Sequence, residues 1–246
     1  MFIRLYLDER SVKIYKFQEN HRSRGCRMNS KILAKLPVRL PKEEVRLILD
    51  FQDDSQEYSE FHFGDWKTYV IWNQSGQDDD GRVADHGQAA RPTPRGLGLG
   101  FLNNWMVRTF DVSKLKLARI HSMGEGVLIP HRDFVEFGKH TKPWTRVHVP
   151  LVTNSSCMHS DESTVFRMRQ GEVWFLDAAN LHSAVNFSTE RRLNLCLDFD
   201  IGHAEVADVL LPAAFNDIDS LTPELVRRPP LEVSFEDTLL SLAAQL

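Results

Sequence analysis

Between Gln170 and Asp200 the chain breaks into apolar runs too short for helices, each bounded by turn residues. Gly171 opens a turn, Val173 to Leu176 predicts a buried strand, Asp177 to Asn180 a turn, and His182 the start of another strand. Leu193 to Phe199 then alternates apolar with polar residues, which predicts a strand with one face on a core. The same alternation puts Arg192, Asn194, Cys196 and Asp198 on the other face. An arginine pointing into such a sheet cannot shed its charge, so it requires an anionic partner. Short alternating strands with Gly, Pro, Asn and Asp turns argue for an antiparallel barrel.

A second pattern falls on this frame. His131, Arg132 and Asp133 stand together, and His182 follows far along the chain. Two residues apart at a strand end, His131 and Asp133 point to one side of the backbone and Arg132 to the other. Two imidazoles and one carboxylate so arranged are the facial triad that holds non-haem Fe(II) and leaves coordination positions open. A lone H-x-D is more often a surface turn, and what raises its weight here is the inward Arg192 ten residues past His182. A dicarboxylate such as 2-oxoglutarate would supply the anion that Arg192 needs.

These residues carry a resemblance. The runs I-P-H-R-D-F-V-E at 129 to 136, R-V-H at 146 to 148, G-E-V-W-F-L-D-A from 171 and H-S-A-V-N-F-S from 182 are similar to those of bacterial proline cis-hydroxylases. Those enzymes belong to the aspartyl/asparaginyl β-hydroxylase family of 2-oxoglutarate-dependent dioxygenases. The resemblance runs from about Lys31 to about Ile201. It implies a mainly β fold, a double-stranded β-helix of the jelly-roll or cupin-like kind with flanking helices. It implies His131, Asp133 and His182 as catalytic iron ligands, Arg192 on the distal carboxylate of 2-oxoglutarate, and Arg146 and His148 near the co-substrate. Fe(II), 2-oxoglutarate and O₂ are the implied cofactors, with ascorbate stimulatory. Arg119, Arg146, Trp66 and Asn73 are the expected substrate contacts. The implied substrate is a free amino acid, L-proline first; other readings are lysine or pipecolate, or an Asp or Asn side chain of a peptide or protein. Lysine would need an acid for its ammonium, and Glu136, Asp161 and Glu162 are the candidates. A non-enzymatic jelly-roll binding protein is disfavoured by the intact set of four polar residues.

The remaining segments are read from pattern. Ile32 to Leu36 predicts a strand, and Pro41 opens a helix over Lys42 to Leu49. A strand rich in aromatics surrounds Trp66, and Asp78 to Arg95 reads as a loop. Gly96, Gly98 and Gly100 lack the spacing and context of a nucleotide motif. A helix is expected from Phe101 to Phe110 and a strand from Leu115 to Ile120. His121, His140, His159 and His203 lack a carboxylate at ligand spacing and are assigned to surface or loops. Residues 1 to 30, rich in Arg and Lys, read as a flexible extension, 31 to 201 as the dioxygenase domain, and 202 to 246 as a tail with helices at Ala204 to Leu211 and Phe235 to Leu246. That tail covers one end of the barrel or supplies a homodimer contact. Met28, near which the family-like sequence begins, is an alternative start.

A net charge of −4 and a sequence pI near 6.2 provide no field for nucleic acid. No apolar run approaches the ~18 residues of a membrane span, and no signal peptide is evident. Cys26, Cys157 and Cys196 form no disulfide framework, and Cys196 is expected as a core thiol. A reducing, cytoplasmic setting fits all of this.

Overall fold

The structure is a computed structural model describing residues 28–52, 61–81, 87–133, 144–212 and 221–226, together with the backbone of 3–8 and 11–16. In chain order the strands are β1 (Ile3–Asp8), β2 (Ser11–Lys16), β3 (Lys31–Lys35), β4 (His62–Asn73), β5 (Arg91–Pro92), β6 (Leu115–His131), β7 (Thr145–Val152), β8 (Cys157–Asp161), β9 (Thr164–Arg167), β10 (Glu172–Phe175), β11 (His182–Asn186), β12 (Arg192–Phe199) and β13 (Glu224–Leu225). Three helices are described: α1 (Lys42–Leu49), α2 (Pro94–Leu97) and α3 (Gly100–Thr109).

Every strand pairing is antiparallel, and the topology follows from β6. Along one edge its first part, Leu115 to Met123, pairs with β12, and its last part, Gly126 to His131, pairs with β11. One strand therefore feeds two leaves. The first leaf runs β6, β12, β7, β10, β3, and the second runs β6, β11, β8, β9, β13. This curled arrangement is the jelly roll expected from the sequence. The other edge of β6 carries β4, and the two backbones approach closely where glycine faces glycine. A Cβ on Gly126 would sit 2.4 Å from the Phe63 carbonyl oxygen, and Gly64 has φ +90°. Only glycine meets both demands.

Alternation then sorts the side chains. Leu193, Leu195, Leu197 and Phe199 of β12, Val147, Val149 and Leu151 of β7, and Ala118 and Ile120 of β6 all join one core with Ile48 of α1 and Leu102 and Met106 of α3. That core lies on the outside of the first leaf, between sheet and helices. Truncating one of its leucines to alanine would cost about 2–5 kcal/mol. The intervening residues of the same strands, among them Arg119, His121, Arg146, His148 and Arg192, are buried on the opposite, inner face. Part of the interior is closed by Phe166, Met168, Trp174 and Leu176, with Phe166 and Trp174 stacked 4.7 Å apart.

Helix α1 forms where expected. Pro41 sits at its N-cap, Glu43 and Glu44 lie in its first turn, and Ile48 is its buried residue. Glu44 also accepts from the Phe101 and Leu102 amides, tying α1 to the start of α3.

Two expectations are corrected. Within the first 30 residues, β1 and β2 pair as a hairpin from Ile3↔Lys16 to Asp8↔Ser11; the alternation of Ile3, Leu5 and Leu7 against Val12 and Ile14 is a strand signal masked by the basic charges. Ala204 to Leu211 is no α-helix but a single 3₁₀ turn, Val206–Val209, ending where Leu210 bridges to Phe110. Further along, the tail donates β13 to the edge of β9. Phe235 to Leu246 lies outside the described residues. Among those described, no helix is long and apolar enough to cross a membrane.

Candidate metal centre

His131 is the last residue of β6, His182 the first of β11, and the two are register partners with rings 4.3 Å apart. Asp133 lies just past the strand, where its amide donates to the Ala178 carbonyl. Arg132 points away, half exposed, and binds the Ala179 carbonyl and Glu162. The contacts to Ala178 and Ala179 bolt the H-x-D segment to the turn that delivers His182. Local sequence thus brings the three side chains together: the Asp177 to Asn180 turn anchors one ligand segment and launches the other.

The imidazoles are oriented alike. His131 Nδ1 lies 2.7 Å from the Ile129 carbonyl and His182 Nδ1 2.9 Å from the Asn180 carbonyl. A carbonyl can only accept, so each Nδ1 carries a proton, which leaves Nε2 as the nitrogen that can turn to Asp133 when protonated and give its lone pair to a metal when not. Those Nε2 atoms approach the Asp133 carboxylate, at 3.3 Å from Oδ1 for His131 and 3.8 Å from Oδ2 for His182. The donor atoms of all three lie within 4.8 Å of one another. Two neutral nitrogens and one carboxylate oxygen, with no fourth protein ligand in the group, make an open site for a divalent first-row metal.

Charge is tuned to match. Burial opposes ionisation of Asp133, but the Arg146 guanidinium and the His131 hydrogen bond outweigh it and hold the carboxyl well below the usual range. For His131, burial is likewise overcome, by Asp133 and the Ile129 carbonyl, and its pKa is raised. His182 goes the other way, lowered chiefly by burial.

Beyond the triad lie three buried arginines. Arg192 is buried, its Nη1 lies 2.8 Å from His159 Nε2, its Nε has no partner, and no carboxylate pairs with it among the described residues. Burial lowers its pKa to about 10. Arg146 and Arg119 share a different fate, because both are bound by Asp198. The cavity itself is lined by the triad, by Trp66, Leu128 and Ala184, and by Arg146, His148, His159, His121 and Arg192.

Several expected contacts are thereby relocated. Trp66 reaches the cavity, 5.0 Å from the His121 ring. Asn73 does not: its side chain serves the adjoining turn, bonding Gln77 and Asp80 carbonyls and the Gly76 amide. Arg119 is buried behind Asp198 and does not line the cavity. Asp161 is spent on the Asn29 and Ser30 amides and on Asn180, Glu162 faces Arg132, and Glu136 lies outside the described residues.

The sequence reading missed His121 and His159, which are buried wall residues rather than surface imidazoles. The available signal was facial: His121 stands two residues after Arg119 on one strand and so shares its side. His203 is exposed as expected, and His140 lies outside the described residues. Cys196 is buried but on the polar inner face, with burial raising its thiol to about 11. His121, His148 and Cys196 bring their donor atoms within 4.8 Å of each other. Arg119, Arg146 and Arg192 all disfavour positive charge at His121, after burial, so this group is poorly suited to a second cation. His121 and His148 of this group line the cavity as neutral side chains.

Comparison with known proteins adds an independent finding. Residues 39–201 match the family model described as aspartyl/asparaginyl beta-hydroxylase. L-proline cis-3-hydroxylase 2 of Streptomyces sp is 35% identical over 223 residues, covering 87% of this chain and 75% of that protein. L-proline cis-3-hydroxylase 1 of Streptomyces sp is 35% identical over 189 residues, covering 76% of this chain and 65% of that protein. L-proline cis-4-hydroxylase of Rhizobium meliloti (strain 1021) is 37% identical over 153 residues, covering 62% of this chain and 54% of that protein.

Proposed function

The chain belongs to the aspartyl/asparaginyl β-hydroxylase family, and from that premise we propose that it is an Fe(II)- and 2-oxoglutarate-dependent dioxygenase hydroxylating a free amino acid, L-proline first, at the cis-3 or cis-4 position. One conjunction carries this reading: an open His131, Asp133, His182 donor set beside a buried Arg192 that has no carboxylate partner among the described residues. The donor set fits iron(II), and Arg192 fits the distal carboxylate of a dianion. Arg146 and His148 line the same cavity and would meet the other end of the co-substrate. Iron(II) bound there supplies the chemistry that inserts one oxygen atom of O₂ into a C–H bond while 2-oxoglutarate becomes succinate and CO₂.

The chain's own residues set charge and place. The Nδ1 hydrogen bonds of His131 and His182 fix their tautomers before metal arrives. The buried Arg119 and Arg146 are held by Asp198, and Arg146 also by the partly buried Asp133, whereas Arg192 has no carboxylate partner among the described residues and the wall histidines are held neutral. A free amino acid is a zwitterion, so it enters without adding net charge, its carboxylate seeking a cation of the cavity lining, where Arg146 and Arg192 stand, and its ammonium an acceptor. A lysine substrate adds a second ammonium, for which neither Asp161 nor Glu162 is spare. Among the described candidates, that observation favours proline over lysine. A reducing, cytoplasmic setting would keep the iron ferrous.

The test is a screen of the standard amino acids and pipecolate with Fe(II), 2-oxoglutarate and ascorbate, read by mass spectrometry for the gain of one oxygen and by NMR for its position. Hydroxylation of L-proline at C3 or C4 with matching succinate is expected. Turnover of a peptide or carrier-bound residue alone would replace this reading with a side-chain hydroxylase.

A further inference from the structure

Asp198 is buried in β12, paired in register with Arg146 of β7 on one side and Leu117 of β6 on the other. Its Oδ1 accepts from Arg146 Nε at 2.7 Å, and its Oδ2 accepts from Arg146 Nη2 at 3.2 Å and from Arg119 Nη2 at 3.1 Å. The bidentate grip on the Nε edge fixes the plane of the Arg146 guanidinium, which a single contact would leave free to swing. On the other edge, Nη1 donates to Asp133 Oδ2. The other oxygen, Oδ1, is the one that approaches His131 Nε2. Arg119 in turn holds Asp198 from the far side.

From this chain of contacts we infer that Asp198 is a positioning residue for the metal centre: acting through Arg146, it ties down one oxygen of Asp133 and so presents the other as a single-oxygen ligand. The inference rests on the iron site proposed above. It assigns work to a carboxylate that touches neither metal donors nor cavity, and it separates two roles for Asp198, orientation of Arg146 and neutralisation of charge. Orientation is the role claimed. A plain counter-ion would need no bidentate geometry on the arginine that reaches Asp133.

The experiment measures binding of Co(II), as an oxygen-stable stand-in for Fe(II), to the full chain by calorimetry and visible absorption. Asp198→Asn keeps the side-chain size and is expected to weaken Co(II) binding about 10- to 100-fold and to alter the absorption bands, the range typical of lost outer-sphere support. The pair Asp198→Asn with Arg119→Met keeps the net charge of the cluster and relieves the exposed cation if the single variant folds poorly. It is expected to stay weakened, because Arg146 is still loose. In an Arg146→Gln background, adding Asp198→Asn should change Co(II) affinity little. Recovery of wild-type affinity in the charge-balanced pair would make Asp198 a counter-ion only and overturn the inference. An equal loss with and without Arg146 would overturn it as well. Failure of the unaltered protein to bind Co(II), or binding indifferent to Asp133→Ala, would bring down the iron-site reading and this inference with it.

Discussion

His159 Nε2 accepts a hydrogen bond from Arg192 Nη1 at 2.8 Å, and both side chains are buried. Arginine can only donate, so the proton of this imidazole resides on Nδ1 and the ring is neutral; burial and then the charge of Arg192 keep it so. A neutral acceptor steadies the guanidinium without consuming its charge. His159→Leu is therefore expected to raise the KM for 2-oxoglutarate by about 10-fold or more, since a hydrogen bond to a charged group is worth about 1.5–3 kcal/mol. A KM equal to that of the wild type would remove His159 from the co-substrate pocket.

Arg192→Ala should have a larger effect on the same constant. Truncating one partner of a buried charge-assisted pair costs about 2–5 kcal/mol, or roughly 30- to several-thousand-fold in binding. Arg191 provides the control. It faces the other way, bonding Ser122 Oγ at 2.9 Å and the Asp65 carboxylate. Arg191→Ala should leave the KM for 2-oxoglutarate nearly unchanged, and a reversal of the two phenotypes would show that the strand faces are misassigned.

Replacement of Asp133 by alanine should abolish turnover and weaken metal binding while the fold survives, because its carboxylate supplies the anionic donor of the triad. The same is expected of His131→Ala and His182→Ala. Metal content after reconstitution, measured alongside the far-ultraviolet circular dichroism, distinguishes a lost ligand from a lost fold. Full activity in Asp133→Ala would end the metal assignment.

Acid should destabilise the metal-free protein steeply. His121, His148 and His159 have folded-state pKa values well below 6.5, in each case chiefly from burial. Unfolded, they take protons below about pH 6.5, so the stability of the neutral buried form is present above that pH and lost as pH falls toward the folded values. Three such groups together remove on the order of 4 kcal/mol by pH 5.5. Opposite shifts at His131 and His182 act against each other. The denaturation midpoint followed from pH 7.5 to 5.5 checks this, and a flat profile would contradict the burial of these rings.

The parts legible in the sequence were those written in local pattern. His131 and Asp133 announce themselves by spacing, Arg192 by its place in an alternating strand, and α1 by Pro41 and the following acids. The wall was harder to see. His121 and His159 were judged by whether a carboxylate stood nearby in sequence, whereas what places them is the strand face they share with Arg119 and the cross-sheet approach to Arg192. Met123 to Gly126 hides a continuous strand: a glycine-rich stretch resembles a break, yet the glycines are there because β4 crosses so closely. Ala204 to Leu211 carries an apolar pattern suited to a helix, but Leu210 bonds to Phe110 and Pro212 follows at once, so the segment is claimed by tertiary contacts. The pairing of Arg119 and Arg146 through Asp198 could not be read at all, because it joins three strands.

The shared strand β6 also governs how the chain must be made. Its first half receives β12 only after roughly seventy further residues have been added, and until then one edge of the strand is open to other chains. The leucines that seal the first leaf arrive on that same late strand. A nascent chain stopped before Arg192 would carry Arg119, Arg146 and the wall histidines with neither the outer core closed nor the interior covered. Productive folding is thus tied to completion of β12, and a shortage of chaperone during synthesis should be felt as aggregation of truncated or slowly translated chains rather than as accumulation of a half-built enzyme.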